Sequence, residues 1–170
     1  MSELPQINIG LFGYGTVGSR VHEIIEKNLS LIEKKLGFQV KIKKICDPKN
    51  KADKLFTTNK EDILNDPEIS IVVELIGNSP AALEVMEKSL EAGKHVVTAN
   101  KAILATHGEK LFSSAAKNNV DLCFEAAVAG AIPILRSIRE GFIADTILST
   151  HGIINGTSNF ILTGMAEQKR

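Results

Sequence analysis

The sequence predicts an α/β chain built on a doubly wound, mostly parallel sheet. Three observations predict it. Short apolar runs rich in β-branched residues alternate with longer stretches of helical spacing. Glycines and Asp-Pro or Ser-Pro pairs punctuate that alternation at short intervals, as in strand-helix-strand units. A glycine-rich turn stands directly between the first apolar run and the first helical one.

Residues 7–12 form the first predicted strand. A helix follows over 17–36, with Val17, Val21, Ile24, Ile25, Leu29 and Ile32 close to helical spacing and Gly37 as its terminator. Val40, Ile42 and Ile45 alternate with lysines, which predicts a second strand with one wetter face, ended by Asp47-Pro48. Residues 48–62 are polar and read as loop with a short helix. Asp66-Pro67 marks a turn. Ile69 to Ile76 is the clearest strand, nearly continuous in its apolarity, as a strand covered on both faces should be.

Ser79 and Pro80 then open a helix as N-cap and first helical residue, and Gly93 closes it. Residues 95–98 are a short strand, 102–118 a helix and 121–124 a strand. Beyond about residue 130 the pattern changes. Ile132 to Phe142 reads as helix, Thr146 to Ile154 as strand, 155–159 as turn, and Phe160 begins another helix. The expected organisation is a Rossmann-like domain over 1–130, then the start of an α+β substrate domain over 131–170.

The 170 residues suffice for one domain with a real core and part of another. With 44% hydrophobic and 24% charged residues the composition is that of a soluble globular chain. Lysine plus arginine, 20 residues, balance 20 acidic ones, which argues against a nucleic-acid surface or an acidic tail. Glu3 and Pro5 interrupt any signal-peptide pattern, and no apolar run reaches membrane-spanning length. A cytoplasmic protein with no membrane partner is expected. Cys46 and Cys123 lie too far apart for a zinc motif, sit in strand-like runs, and are expected to be buried thiols.

The motif Gly13-Tyr14-Gly15-Thr16-Val17-Gly18 carries the first chemical reading. Gly13 would allow a tight turn, Gly15 would let backbone approach a pyrophosphate, and Gly18 would let the helix pack closely on the sheet. Asp47, behind the second strand, suits a ribose diol; Lys44, Lys49 and Lys51 around it suit a 2′-phosphate instead. Residues read this way leave NAD and NADP both open. Asn78, Ser79 and Pro80 follow a central strand, where open α/β sheets bind ligands. Lys101 opens a helix, where the helix field disfavours a cation, so a phosphate, carboxylate or developing alkoxide is its expected partner. Glu125 is the single carboxylate in the apolar run 125–133, and with the carbonyls near Gly130 it suggests an oxygen-only cation site. His151 is read as structural. The turn 152–159 offers N–H and hydroxyl donors to a polar substrate.

Five segments together resemble homoserine dehydrogenase over essentially the whole chain: Gly13 to Gly18, Glu74 to Ala81, Thr98-Ala99-Asn100-Lys101, Glu125 to Pro133, and Gly152 to Phe160. The resemblance implies reversible NAD(P)-dependent reduction of L-aspartate 4-semialdehyde to L-homoserine, in threonine and methionine biosynthesis. It implies a cofactor-binding set of Phe12, Gly13, Tyr14, Gly15, Thr16, Val17, Gly18, Asp47, Asn78, Ser79 and Lys101, with Lys101 also the catalytic residue. It implies substrate binding by Glu125 and Gly156, and a monovalent cation, commonly sodium, held by Glu125, Val128, Gly130 and Ile132. Gly130-Ala131 stands where many members have Gly-Gly.

Members continue into a substrate-binding and dimerisation domain, and full-length ones form homo-oligomers. The chain is therefore expected to be the N-terminal part of such an enzyme, able to bind coenzyme without full activity. A nucleotide-binding regulatory module, and an oxidoreductase for a related small aldehyde or amino acid, are the alternatives.

Overall fold

In a computed structural model, describing residues 4–49, 53–77 and 79–168, six parallel strands stand in the order β3-β2-β1-β4-β5-β6. They are β1 (Gln6–Phe12), β2 (Gln39–Cys46), β3 (Phe56–Thr57), β4 (Ile69–Glu74), β5 (His95–Thr98) and β6 (Leu122–Cys123). The helices between them are α1 (Thr16–Leu36), α2 (Glu61–Leu64), α3 (Pro80–Glu91) and α4 (Lys101–Lys117). The chain runs outward from β1 to β3, returns to the centre at β4, and runs outward the other way. The strand order thus reverses between β1 and β4, where open α/β sheets form their ligand crevice.

Alternation along the strands builds one core on each face. Ile9 and Leu11 of β1 join Ile42 and Ile45 of β2 beneath Ile25, Leu29 and Ile32 of α1. Phe12 of β1 and Val72 of β4 belong to the opposite core, with Ile63, Met86, Leu90, Val96 and Leu111. Helix α1 ends as expected: Gly37 adopts φ +72° and its N–H donates to the Glu33 carbonyl at 2.8 Å. Ser79 caps α3, its Oγ accepting from the Ala82 N–H at 3.3 Å.

The chain divides into two compact units, 1–128 and 129–170. Within the second, α5 (Ile134–Arg136) continues into a π-helical turn over Ser137–Gly141, and α6 spans Gly156–Gln168.

Several expectations are corrected. No strand forms over 146–154 among the described residues: no described strand offers it a hydrogen-bonding partner, and Leu148 and Ile154 stand almost fully exposed. The helix expected from Ile132 starts at Ile134, because Ala131, at φ +69°, and Pro133 break the backbone first. The last helix starts at Gly156 rather than Phe160, since Asn155 Oδ1 accepts from the Ser158 N–H at 2.8 Å and caps it. The loop 48–62 contains β3, too short to leave a periodic signal. Neither thiol is buried: Cys46 is half-buried and Cys123 is exposed on β6.

Lys94 is the unexpected core residue. It is 4% exposed, and its Nζ donates to the Asp66 carbonyl at 2.6 Å and the Ile69 carbonyl at 2.8 Å. Burial pulls its pKa down, against the pull of Asp66. Its ammonium closes the amino-terminal end of β4. Lys94→Met keeps the apolar stem but leaves both carbonyls without that donor, and is expected to cost about 1–3 kcal/mol, read by urea denaturation. A stability equal to wild type would show that the two bonds contribute nothing net.

Candidate functional site

The glycine turn joins β1 to α1 at the reversal of strand order. Gly13 has φ +89°, and a Cβ there would lie 2.6 Å from the Leu75 carbonyl oxygen. A Cβ on Gly18 would lie 2.0 Å from the Gly13 carbonyl oxygen. Both glycines are therefore fixed by backbone meeting backbone. Gly15 differs: a Cβ there would meet nothing within 4 Å, and no side chain caps the helix start behind it. The start of α1 thus lacks a side-chain cap, as at helix starts that take an anion.

Two bonds tie the turn to the end of β2. The Gly13 N–H donates to the Cys46 carbonyl at 2.9 Å, and the Tyr14 N–H to Asp47 Oδ2 at 2.6 Å. Asp47 Oδ1 accepts from the Lys49 N–H at 2.8 Å. The Tyr14 hydroxyl meets His22 Nδ1 at 2.8 Å, and its ring stands edge-on to Phe56 with centroids 4.9 Å apart. Tyr14 is thereby fixed as a wall rather than a loose loop side chain.

One cavity meets the turn and a second meets the helix start behind it. The first, about 480 Å³, runs from Phe12, Tyr14 and Gly15 past Cys46, Asp47 and Lys49 to Lys60, with Leu75, Ala81, Glu84 and Val85 opposite. The second, about 300 Å³, is lined by Val17, Glu74, Leu75, Gly77, Ala99, Asn100 and Lys101. Both chambers are mostly apolar, they share Leu75, and Lys101 lines the smaller one.

The structure brings Phe12, Gly13, Tyr14, Gly15 and Asp47 to the first cavity and Val17 and Lys101 to the second. Thr16 and Gly18 belong to the same turn and helix start. Ser79 serves as a helix cap and lines neither cavity. Asn78 and Lys51 lie outside the described residues. Glu125 opens a half-exposed 3₁₀ turn, Glu125–Ala127, so it is not the deeply buried carboxylate that the apolar run suggests. Glu125 and Val128 end the first unit, Gly130 and Ile132 begin the second, and Gly156 opens α6.

Two sets of site residues escape the residue-by-residue reading. Glu74 is fully buried at the end of β4 and accepts from the Thr98 hydroxyl at 2.7 Å. A lone carboxylate closing an apolar strand was the available signal. Glu84 and Lys60 form a clasp across the wall of the first cavity: Glu84 Oε1 accepts from Lys60 Nζ at 2.6 Å and pairs with Lys88 at 2.9 Å. Lys60, at the N-cap of α2, and Glu84, within α3, sit 24 apart, and no sequence spacing joins them.

The Lys60 hydrogen bond, and then that from Lys88, hold the Glu84 carboxyl down at about 2, against an ordinary value of 4.5. A lowered value means that the fold favours the ionised form. The clasp's contribution is therefore complete above pH 4.5 and is lost as pH falls toward 2. Carboxyl-carbon NMR is expected to show Glu84 titrating well below the ordinary glutamate range, and Lys60→Met is expected to raise that midpoint. An ordinary midpoint in the unaltered chain would rule out a persistent clasp in solution.

Comparison with known proteins agrees with this geometry. Residues 13–125 match the family model described as homoserine dehydrogenase, NAD binding domain, and residues 133–170 match the model described as homoserine dehydrogenase. The homoserine dehydrogenase of Neisseria gonorrhoeae is 44% identical over 97% of this chain and 39% of its own length. That of Bacillus subtilis is 41% identical over 98% of this chain and 40% of its own length. The crystal structure of a homoserine dehydrogenase from Thiobacillus denitrificans superposes with TM-score 0.85 at 41% identity, covering 100% of this chain and 41% of that one. The chain thus spans about 40% of the length of the curated relatives it matches. With a parallel sheet that reverses order at β1 and β4, a glycine turn at that point and both family models matched in sequence, the chain belongs to the homoserine dehydrogenase family.

Proposed function

We propose that this chain binds NAD(P)(H) and contributes the coenzyme half of an active site that interconverts L-aspartate 4-semialdehyde and L-homoserine. The observation that carries the reading is the pair of cavities at the glycine turn and the helix start behind it. A dinucleotide needs that shape: two bulky ends with a charged bridge between them. The uncapped start of α1 behind Gly15 suits the pyrophosphate. The larger apolar chamber suits adenosine, and the smaller one, with Lys101 at its edge, suits the nicotinamide and the reacting carbonyl.

At the adenosine end, Asp47 suits a free ribose diol, whereas Lys49 and Lys60 in the same wall suit a 2′-phosphate. That mixture of signs supports acceptance of both NAD and NADP. When bound, the coenzyme supplies the hydride. Lys101 then has the role of holding the substrate oxygen, with its ammonium offsetting negative charge as it develops.

Glu125 and Gly156 are proposed as substrate contacts on the resemblance. The same resemblance assigns a sodium-type cation to Glu125, Val128, Gly130 and Ile132. No group of three His, Cys, Asp or Glu side chains among the described residues suits a metal ion, so carbonyl oxygens must supply most of that set. The backbone after the 3₁₀ turn is irregular, with positive φ at Ala129 and Ala131, and its Ala129 and Ile132 carbonyls also accept from the Ile132 and Ile134 N–H groups. Homo-oligomerisation and a cytoplasmic location complete the proposal. Exposed Ile143, Leu148, Phe160 and Leu162 support further packing, and no described helix is long and apolar enough to cross a membrane.

Calorimetric titration with NADPH and NADH tests the coenzyme half, and coenzyme oxidation with aspartate 4-semialdehyde tests the reaction. Saturable binding is expected. Turnover above a Lys101→Ala control would show a working site in this chain, and binding alone would favour the nucleotide-binding module. A folded chain that binds neither coenzyme would end the proposal.

Two glycine variants separate turn from ligand. Gly18→Ala is expected to cost about 3 kcal/mol, because its methyl group meets a carbonyl that cannot move away freely. Gly15→Val is expected to leave the melting temperature nearly unchanged but weaken coenzyme binding by about tenfold or more, since its side chain occupies the phosphate approach. Unimpaired binding by a folded Gly15→Val chain would place the pyrophosphate elsewhere.

A further inference from the structure

The end of β4 is joined to the end of β5 by a buried chain of hydrogen bonds that sheet pairing does not require. Glu74 is 0% exposed and Thr98 1% exposed. The Asn100 N–H donates to Thr98 Oγ1 at 3.0 Å, which leaves the Thr98 hydroxyl proton for Glu74 Oε2 at 2.7 Å. Glu74 Oε1 accepts from the Ile76 N–H at 2.7 Å. Both carboxylate oxygens therefore act as acceptors. The Asn100 amide then crosses to the Gly77 carbonyl at 2.7 Å. Gly77, at φ +92°, and Asn100 both line the smaller cavity, and Lys101 follows Asn100 directly.

Fold stability alone gives this chain of bonds little purpose. Burying a carboxylate is costly even when it is bonded, and packed apolar side chains would close the sheet as well. What the bonds do fix is the Gly77 carbonyl against Asn100, the residue from which α4 and Lys101 start. We propose that Glu74 and Thr98 are positioning residues for the nicotinamide end of the coenzyme, acting through Asn100 to hold the Gly77 turn and Lys101 at a set spacing. The proposal rests on the reading of the smaller cavity as the nicotinamide site.

The test uses the whole chain with two ligands: NADH, and ADP-ribose, which lacks only the nicotinamide. Calorimetry reads affinity, and the change in nicotinamide fluorescence on binding reads the environment of the ring. Thr98→Val removes the hydroxyl at nearly constant volume, and Thr98→Ser restores it. For Thr98→Val we expect ADP-ribose affinity within about twofold of wild type, NADH binding about tenfold weaker, and most of the fluorescence change lost. Thr98→Ser is expected to recover the wild-type fluorescence change.

A Thr98→Val chain with the wild-type fluorescence change would overturn the proposal while leaving the cavity assignment intact. Equal losses for NADH and ADP-ribose would also overturn it, by showing a merely structural role. If Thr98→Val does not fold, Glu74→Gln decides, because it keeps the side-chain size but places an amide donor against one of two existing donors. A wild-type fluorescence change there overturns the proposal. A wild-type chain that binds ADP-ribose and NADH with no change in nicotinamide emission would overturn the cavity assignment and the proposal together.

Discussion

Backbone meeting backbone at the head of β1 is the constraint on which the rest of the site depends. Gly18 packs against the Gly13 carbonyl, and Gly13 packs against Leu75, with no side chain between them. That stack brings three elements together: the start of α1, the turn, and the chain leaving β4. It also sets where the two cavities are, since Leu75 lines both of them. A larger residue at either glycine would part α1 from β4 and merge or close the chambers. The uncapped start of α1 behind Gly15 is thus a by-product of close packing at its neighbours.

The β4–β5 pair shows how the sheet manages its open ends. At the amino-terminal edge Lys94 is sunk among carbonyls, those of Asp66 and Ile69. At the carboxy-terminal edge Glu74 is sunk among donors, the Ile76 N–H and the Thr98 hydroxyl. Strand ends leave backbone groups that water cannot reach once helices cover both faces. A buried ammonium answers unpaired carbonyls and a buried carboxylate answers unpaired N–H groups. The charges are not interchangeable, and each carries the sign that its end of the sheet demands. The acidic one is among the residues that line the smaller cavity.

Much of this was legible in the sequence, for reasons that differ by residue. The covered strand β4 declares itself because both its faces are apolar, so no period is needed to find it. Helix α1 and its stop at Gly37 follow from spacing and from the one residue that tolerates a left-handed backbone. The glycine turn was legible because two of its three glycines, Gly13 and Gly18, answer local demands of close backbone packing. The Lys60–Glu84 clasp was not, because its members meet only through the tertiary fold. Lys94 was illegible for another reason: a lysine after Gly93 looks like surface decoration until the Asp66 carbonyl is seen above it. The strand expected over 146–154 shows the opposite failure, since its β-branched residues express a propensity that needs a neighbouring strand to be realised.

The segment after Glu125 is where composition and backbone disagree. Ala129 and Ala131 adopt φ +47° and +69°, a region where a methyl side chain costs about 1–2 kcal/mol that glycine avoids. Gly130, between them, is not at positive φ. The glycine therefore stands one residue away from both positions that would use it. At Ala131 the sequence departs from the Gly-Gly that the family resemblance leads one to expect, and the backbone keeps a glycine-like conformation regardless. A conformation held against its local preference has to be fixed by something other than residue type. The neighbouring bonds supply part of the answer: the Ile132 N–H donates to the Ala129 carbonyl at 2.9 Å, closing a tight turn around Gly130 and Ala131. The turn's shape is thus set by its hydrogen bond and by Pro133 behind it, and the alanine follows.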